Sequence, residues 1–315
     1  MRKHFELIKS GTNIDFMKGR NVCLLLSLSL IIFSVCYWVS KGADKYGTDF
    51  AGGTEVQVKF DKTVPVANVR SALEKGGFGK AMVQSFEGGT EFAIRSRMES
   101  GSDVGKRIRD SLAAVPGVTF NVRKEDYVGP VIGEEIRQKG VRAMFIALLG
   151  ILVYGSVRFE FRFALGAVLA LFHDVIITSG MYVLSGREVS TAFLAAILTI
   201  IGYSVNDTVV VYDRVRENMI KREKAKGAGA VPKDRHTAFE EFKLLLNASV
   251  NQTLSRTMLT AGATLISVTA LWLLASGELS DLAFALFVGI VFGTYSSVFV
   301  ACYLVLLLER PRKTA

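Results

Sequence analysis

Six long apolar runs, at residues 21–40, 141–157, 163–184, 190–212, 257–275 and 282–308, constrain this chain more than any other feature. A helix needs about 20 apolar residues to cross a hydrocarbon core of ~30 Å, where its backbone groups must bond one another. Most of the runs are long enough, and the second is expected to extend beyond its apolar part. Half of the 315 residues are hydrophobic, too many for an ordinary soluble chain of this size. A polytopic α-helical membrane protein is the reading. The first run follows a basic segment, as in a signal peptide, but it is longer than a signal core and no A-x-A site follows. It is expected to stay as a span.

Lysine and arginine give the orientation. The formal charge of +9 lies in blocks between apolar runs, so it points to membrane placement and not to nucleic acid. One side would hold Arg2, Lys3, Lys9, Lys18 and Arg20, then Arg158 and Arg162, the 213–256 loop, and the tail with Arg310, Arg312 and Lys313. The short loops opposite hold only Arg187. By the positive-inside rule both termini are cytoplasmic. The expected organisation is a basic N-terminus (1–20), a first span (21–40), an outer domain (41–140), spans two to four (141–212), a cytoplasmic loop (213–256), spans five and six (257–308) and a tail (309–315).

Residues 41–140 carry sixteen basic and fourteen acidic side chains, which keeps them out of the bilayer as a globular domain. Their pattern reads strand 54–60, helix 66–75, strand 81–86, strand 91–97, helix 103–114 and strand 118–124. The order βαββαβ is that of a ferredoxin-like α+β unit. Within it, the run Gly76-Gly77-Phe78-Gly79-Lys80 lacks Walker A spacing and reads as a helix-ending turn. In the inner loop, 224–233 is a soft linker, and Ala238, Phe239, Phe242, Leu245 and Leu246 mark an amphipathic helix expected at the membrane surface.

No enzyme signature is present: His4, His173 and His236 are scattered, there is no GxSxG, and Cys23, Cys36 and Cys302 all lie in apolar runs. No cofactor is implied. The informative residues are ionisable groups inside spans, which cost at least about 2.5–3.5 kcal/mol near the bilayer centre. Asp174 lies mid-span beside His173. Asp207 is six residues before Asp213, so about 9 Å deeper along the helix, and Asn206 and Thr208 flank it in a polar stripe. These carboxylates read either as interhelical glue or as a proton or ion relay, and the relay is favoured because serine or asparagine is cheaper glue. Arg256 borders the fifth run and reads equally as a cytoplasmic flank. Gly289 and Gly293 form a GxxxG packing surface.

Several stretches resemble SecF proteins of the SecD/SecF family. They are Thr48-Asp49-Phe50-Ala51-Gly52-Gly53-Thr54, Val128-Gly129-Pro130-Val131-Ile132-Gly133, Phe172-His173-Asp174-Val175, Gly202 through Asn218 with its core Asn206-Asp207-Thr208, and Asn251-Gln252-Thr253-Leu254-Ser255-Arg256-Thr257. The resemblance implies a six-helix half of an RND-like bundle with a periplasmic ferredoxin-like domain. It also implies residence in the bacterial inner membrane, a SecD partner, docking to the SecYEG channel, and proton-motive-force-driven export of a preprotein. Asp207 and Arg256 match the family's membrane proton site, with Asp174 and Asn206 as further candidates. One departure is an inner loop, residues 221–241, longer than the family's usual one. A small-molecule exporter and a passive scaffold of the channel remain alternative readings.

Overall fold

The structure, a computed structural model, describes residues 13–97, 103–226 and 235–308. Helix α1 (Arg20–Ser40) leads through a short turn, α2 (Thr48–Ala51), into a compact α+β unit. This comprises β1 (Gly53–Phe60), α3 (Val66–Lys75), β2 (Met82–Phe86), β3 (Glu91–Ser96), α4 (Val104–Ala113) and β4 (Phe120–Val128). The chain returns through α5 (Pro130–Arg158), α6 (Phe161–Leu184), α7 (Thr191–Lys226) and α8 (Arg235–Leu274). The last span bends at Phe299 into α9 (Gly277–Val298) and α10 (Val300–Leu308).

Six of these helical segments are long and apolar enough to cross a membrane. Helices α6 and α9 lie at the bundle's centre, whereas α1, α5 and α8 expose broad apolar faces, among them Leu25, Ile146, Val157, Ile266 and Leu273. Contiguous apolar surface of this extent is stable only under lipid or protein. The protein is a multi-pass membrane protein.

The four strands form an antiparallel sheet in the order β2-β3-β1-β4, the ferredoxin-like arrangement. Period-two alternation sends Val56, Val58, Phe60, Phe92 and Ile94 to one face, where they pack on Val69 and Leu73 of α3 and Ile108 and Leu112 of α4. Gly76 caps α3, in keeping with a turn there. Strand β4 runs to Val128, beyond the expected end at 124. It does so because the start of β1 still needs a ladder partner, and Gly53, Thr54 and Glu55 pair with Val128, Tyr127 and Asp126.

The opposite sheet face carries Glu55 and Arg95 and rests on the loop between α6 and α7. Arg95 donates to Glu55 at 2.6 Å and to Glu188 of that loop at 3.3 Å, and all three side chains are buried. Arg97 adds contacts to Asp44, Glu188 and the Tyr46 carbonyl. Buried charge thereby helps tie the sheet to the helical bundle.

Two glycines join the sheet to the membrane helices. Gly52 has φ +77° and Gly53 φ +139°. A Cβ on the first would lie 2.8 Å from Cα of Pro130, and on the second 2.4 Å from the Ser96 carbonyl. Only glycine fits such a backbone at such distances. Pro130 occupies the first turn of α5, where its missing N–H costs nothing.

Helix α8 differs from the expected surface helix. It is one continuous element from Arg235 through the fifth span. Phe242, Leu245 and Leu246 pack with Met17, Phe163, Tyr212 and Val215 inside the bundle's end, so protein takes the apolar face that lipid was expected to cover. The soft linker's 227–233, like the basic residues before 13 and after 308, lies outside the described residues.

Candidate functional site

The bundle's centre holds a chain of polar groups. Asp174 on α6 is fully buried. Ser204 of α7 and Ser296 of α9 both donate to its Oδ2, at 2.6 and 2.8 Å. Nδ1 of His173 lies 2.9 Å from its Oδ1, and the other ring nitrogen lies 3.1 Å from the hydroxyl of Ser27 on α1. Ser27 in turn meets the Tyr295 hydroxyl at 3.1 Å, which donates to the Cys23 carbonyl. Helices α7 and α9 therefore converge on one carboxylate of α6, and α1 joins them through His173. Their approach is set by small residues: a Cβ on Gly293 would lie 3.1 Å from Ser204 Cβ, and one on Gly289 would collide with Ile200 of α7.

Asp207 follows Ser204 by three residues on α7, close to one turn away, and is also buried. Its environment differs. Its Oδ2 has no hydrogen-bond partner among the described residues. The opposing charge that acts on it is Arg256 of α8. Arg256 and Asn206 are exposed on this chain, at the α7–α8 side of the bundle. The structure thus brings Asp207 and Arg256 within electrostatic reach. Among the described residues it ties Asp174 to His173 and to serines, not to Asp207.

The stretch before Arg256 fastens α8 to two neighbours. Asn251 accepts from the Ile14 amide and donates to its carbonyl, both at 2.8 Å, and Asn247 accepts from Phe16. Asn218 on α7 donates to Gln252 at 3.0 Å and to Ser249 at 2.9 Å. This stretch of α8 thereby holds α7 and the segment before α1, and leads into the arginine whose charge acts on Asp207. The residues absent from the sequence reading are Ser27, Ser296 and Tyr295. Hydroxyls in apolar helices usually bond their own backbone, as Thr260 and Thr264 do here, so nothing marked these in advance.

Residues 108–311 match the family described as Protein export membrane protein SecD/SecF, C-terminal, and residues 45–64 match the SecD/SecF GG motif. The chain belongs to this SecD/SecF family. The GG motif coincides with the Gly52-Gly53 junction onto Pro130. Protein translocase subunit SecF of Vibrio alginolyticus is 39% identical over 96% of this chain and 92% of its own length. The subunit of the same name from Calditerrivibrio nitroreducens is 37% identical over 99% of this chain and 100% of its own length. Among solved structures, SecDF from Thermus thermophilus, a translocon-associated membrane protein, is 34% identical with a TM-score of 0.81 over 95% of this chain. This chain spans 39% of that SecDF chain's length.

Proposed function

We propose that this chain is the SecF-type subunit of the Sec translocase, which with SecD uses the proton motive force to promote preprotein export through SecYEG across the bacterial inner membrane. The observation that carries the reading is the asymmetry around Asp207. The carboxylate is buried with no hydrogen-bond partner at Oδ2 among the described residues, while its counter-charge Arg256 and its neighbour Asn206 are exposed. Arg256 borders the fifth apolar run, and a second protein half on that face would shield its charge from hydrocarbon. The likeness to two fifths of a SecDF chain supports SecD in that role.

Asp207 and Arg256 act as the proton-responsive pair in this account. Loss of hydration disfavours the carboxylate's charge, and a nearby guanidinium favours it. Changing their separation tips that balance, so a proton is taken in one arrangement of α7 and α8 and released in another. The drive available is about 2.3 kcal/mol per charge per 100 mV, enough to bias a two-state bundle more than tenfold. Asp174, closed in by its serines and His173, acts as the pivot of the four helices, and Asn206 extends the polar stripe toward the partner. The 41–140 domain and the Arg187 loop face the periplasm, with both termini and the 213–256 segment cytoplasmic. Affinity purification of the full chain from native membranes tests the assignment. Recovery of SecD and SecYEG supports it, and recovery of neither sinks it.

A further inference from the structure

A pocket of about 520 Å³ opens at the sheet-domain end of the bundle, between α1, α5, α6 and α7. Its volume lies in the ~300–1,000 Å³ range of small-ligand sites. Met144, Val175, Phe193 and Ile197 make its walls, with Ser179 at their level and Trp38 and Tyr46 beside the mouth. Asp174, Asp207 and Arg256 do not line it.

Its charge is one-sided. Arg137 and Arg142 line it against one carboxylate, Glu134, which already pairs with Arg137 at 2.5 Å. Lys45 packs against two of the lining residues, Trp38 and Tyr46. Its Nζ lies 4.9 Å from the centre of the Tyr46 ring and 5.1 Å from that of Trp38, and it donates only to the Gly42 carbonyl among the described residues. The Arg137 guanidinium lies 5.1 Å from the same Tyr46 ring. Two cations therefore share one aromatic ring, largely buried in the case of Lys45. Burial and then the repulsion of Arg137 lower the Lys45 pKa, so the pair is held together at a cost that an anion would relieve.

We propose that this pocket binds an anionic phospholipid from the leaflet on the sheet-domain side, its phosphate between Lys45, Arg137 and Arg142 and an acyl chain along α5 and α7. Tryptophan and tyrosine at the mouth are the side chains that mark headgroup depth, and the apolar walls continue inward from there, as one lipid molecule requires. Basic pockets between membrane helices select headgroups by the same charge logic.

The test is native mass spectrometry of the full chain, purified with its membrane partners from bilayers of phosphatidylglycerol and phosphatidylethanolamine. One phosphatidylglycerol should be retained in preference to phosphatidylethanolamine. Lys45→Gln and Arg137→Gln should each lower its retention about fivefold. Ser179→Leu, which fills the wall, should lower it for both lipids, whereas Lys139→Gln, the same charge loss on an exposed side chain of α5, should not. Arg142→Gln, also exposed, carries the charge test if the Lys45 variant fails to accumulate. Equal retention of the two lipids, no retained lipid, or retention indifferent to these substitutions would overturn the proposal.

Discussion

The Ser204 hydroxyl of α7 donates to Oδ2 of Asp174 on α6 across 2.6 Å, and Ser296 of α9 donates to that same oxygen. Because the carboxylate is fully buried, each donor matters. Ser204→Ala or Ser296→Ala should lower stability by about 1–3 kcal/mol, the cost of leaving a buried acceptor short of a donor. Since both serve one atom, the double variant should depart from the sum of the singles. Thermal unfolding in detergent reads both effects, and additive losses would show that the two hydroxyls do not act on a common acceptor.

At the junction, Gly53→Ala forces a Cβ to 2.4 Å from the Ser96 carbonyl on a backbone with φ +139°. Strain of this kind costs ~1–3 kcal/mol before the clash is counted. The variant should accumulate poorly or melt well below the parent, while an alanine at Gly202, where a Cβ meets nothing within 4 Å, should not. Equal melting temperatures for the two would contradict the junction geometry.

The buried charges beneath the sheet make a further prediction. Arg95→Met leaves Glu55 and Glu188 buried beside each other without their shared cation and should cost ~3–5 kcal/mol. Limited proteolysis should then release the 41–140 domain faster.

Glu188 also gives that contact a pH dependence. Burial, opposed by Arg95 and Arg97, raises its carboxyl above the ordinary value. A raised carboxyl stabilises the fold most below its unfolded pKa, and that contribution is lost as pH rises through the folded value. Melting curves should therefore lose stability with pH above about 4.5, and Glu188→Gln should flatten that slope. An unchanged slope in the variant would assign it to another group.

The apolar runs and the period-two strands were legible in the sequence because burial in lipid and in a sheet face each impose a repeat that a chain must carry. The outer domain's order followed from that repeat, and β4 outran it because pairing with Gly53–Glu55 depends on a partner strand and not on its own residues. Asp174 and Asp207 stood out as ionisable residues in apolar helices. Their different surroundings did not, since Ser296 and Ser27 come from helices far off in sequence. The apolar stripe around Phe242 was legible in the same way, and its cover was not. An apolar stripe declares that it will be covered, and only the fold supplies Met17 and Tyr212 as the cover.

If Asp207 and Arg256 couple the proton gradient to export, both are needed for its gradient-driven part. The most direct measurement is preprotein translocation into inverted membrane vesicles, with and without a protonophore, comparing the parent with Asp207→Asn and Arg256→Met at matched levels of complex. Both variants should assemble with SecD, keep ATP-driven translocation, and lose the protonophore-sensitive part. Full gradient-stimulated translocation by either well-assembled variant would contradict that coupling and leave the chain as a scaffold of the channel.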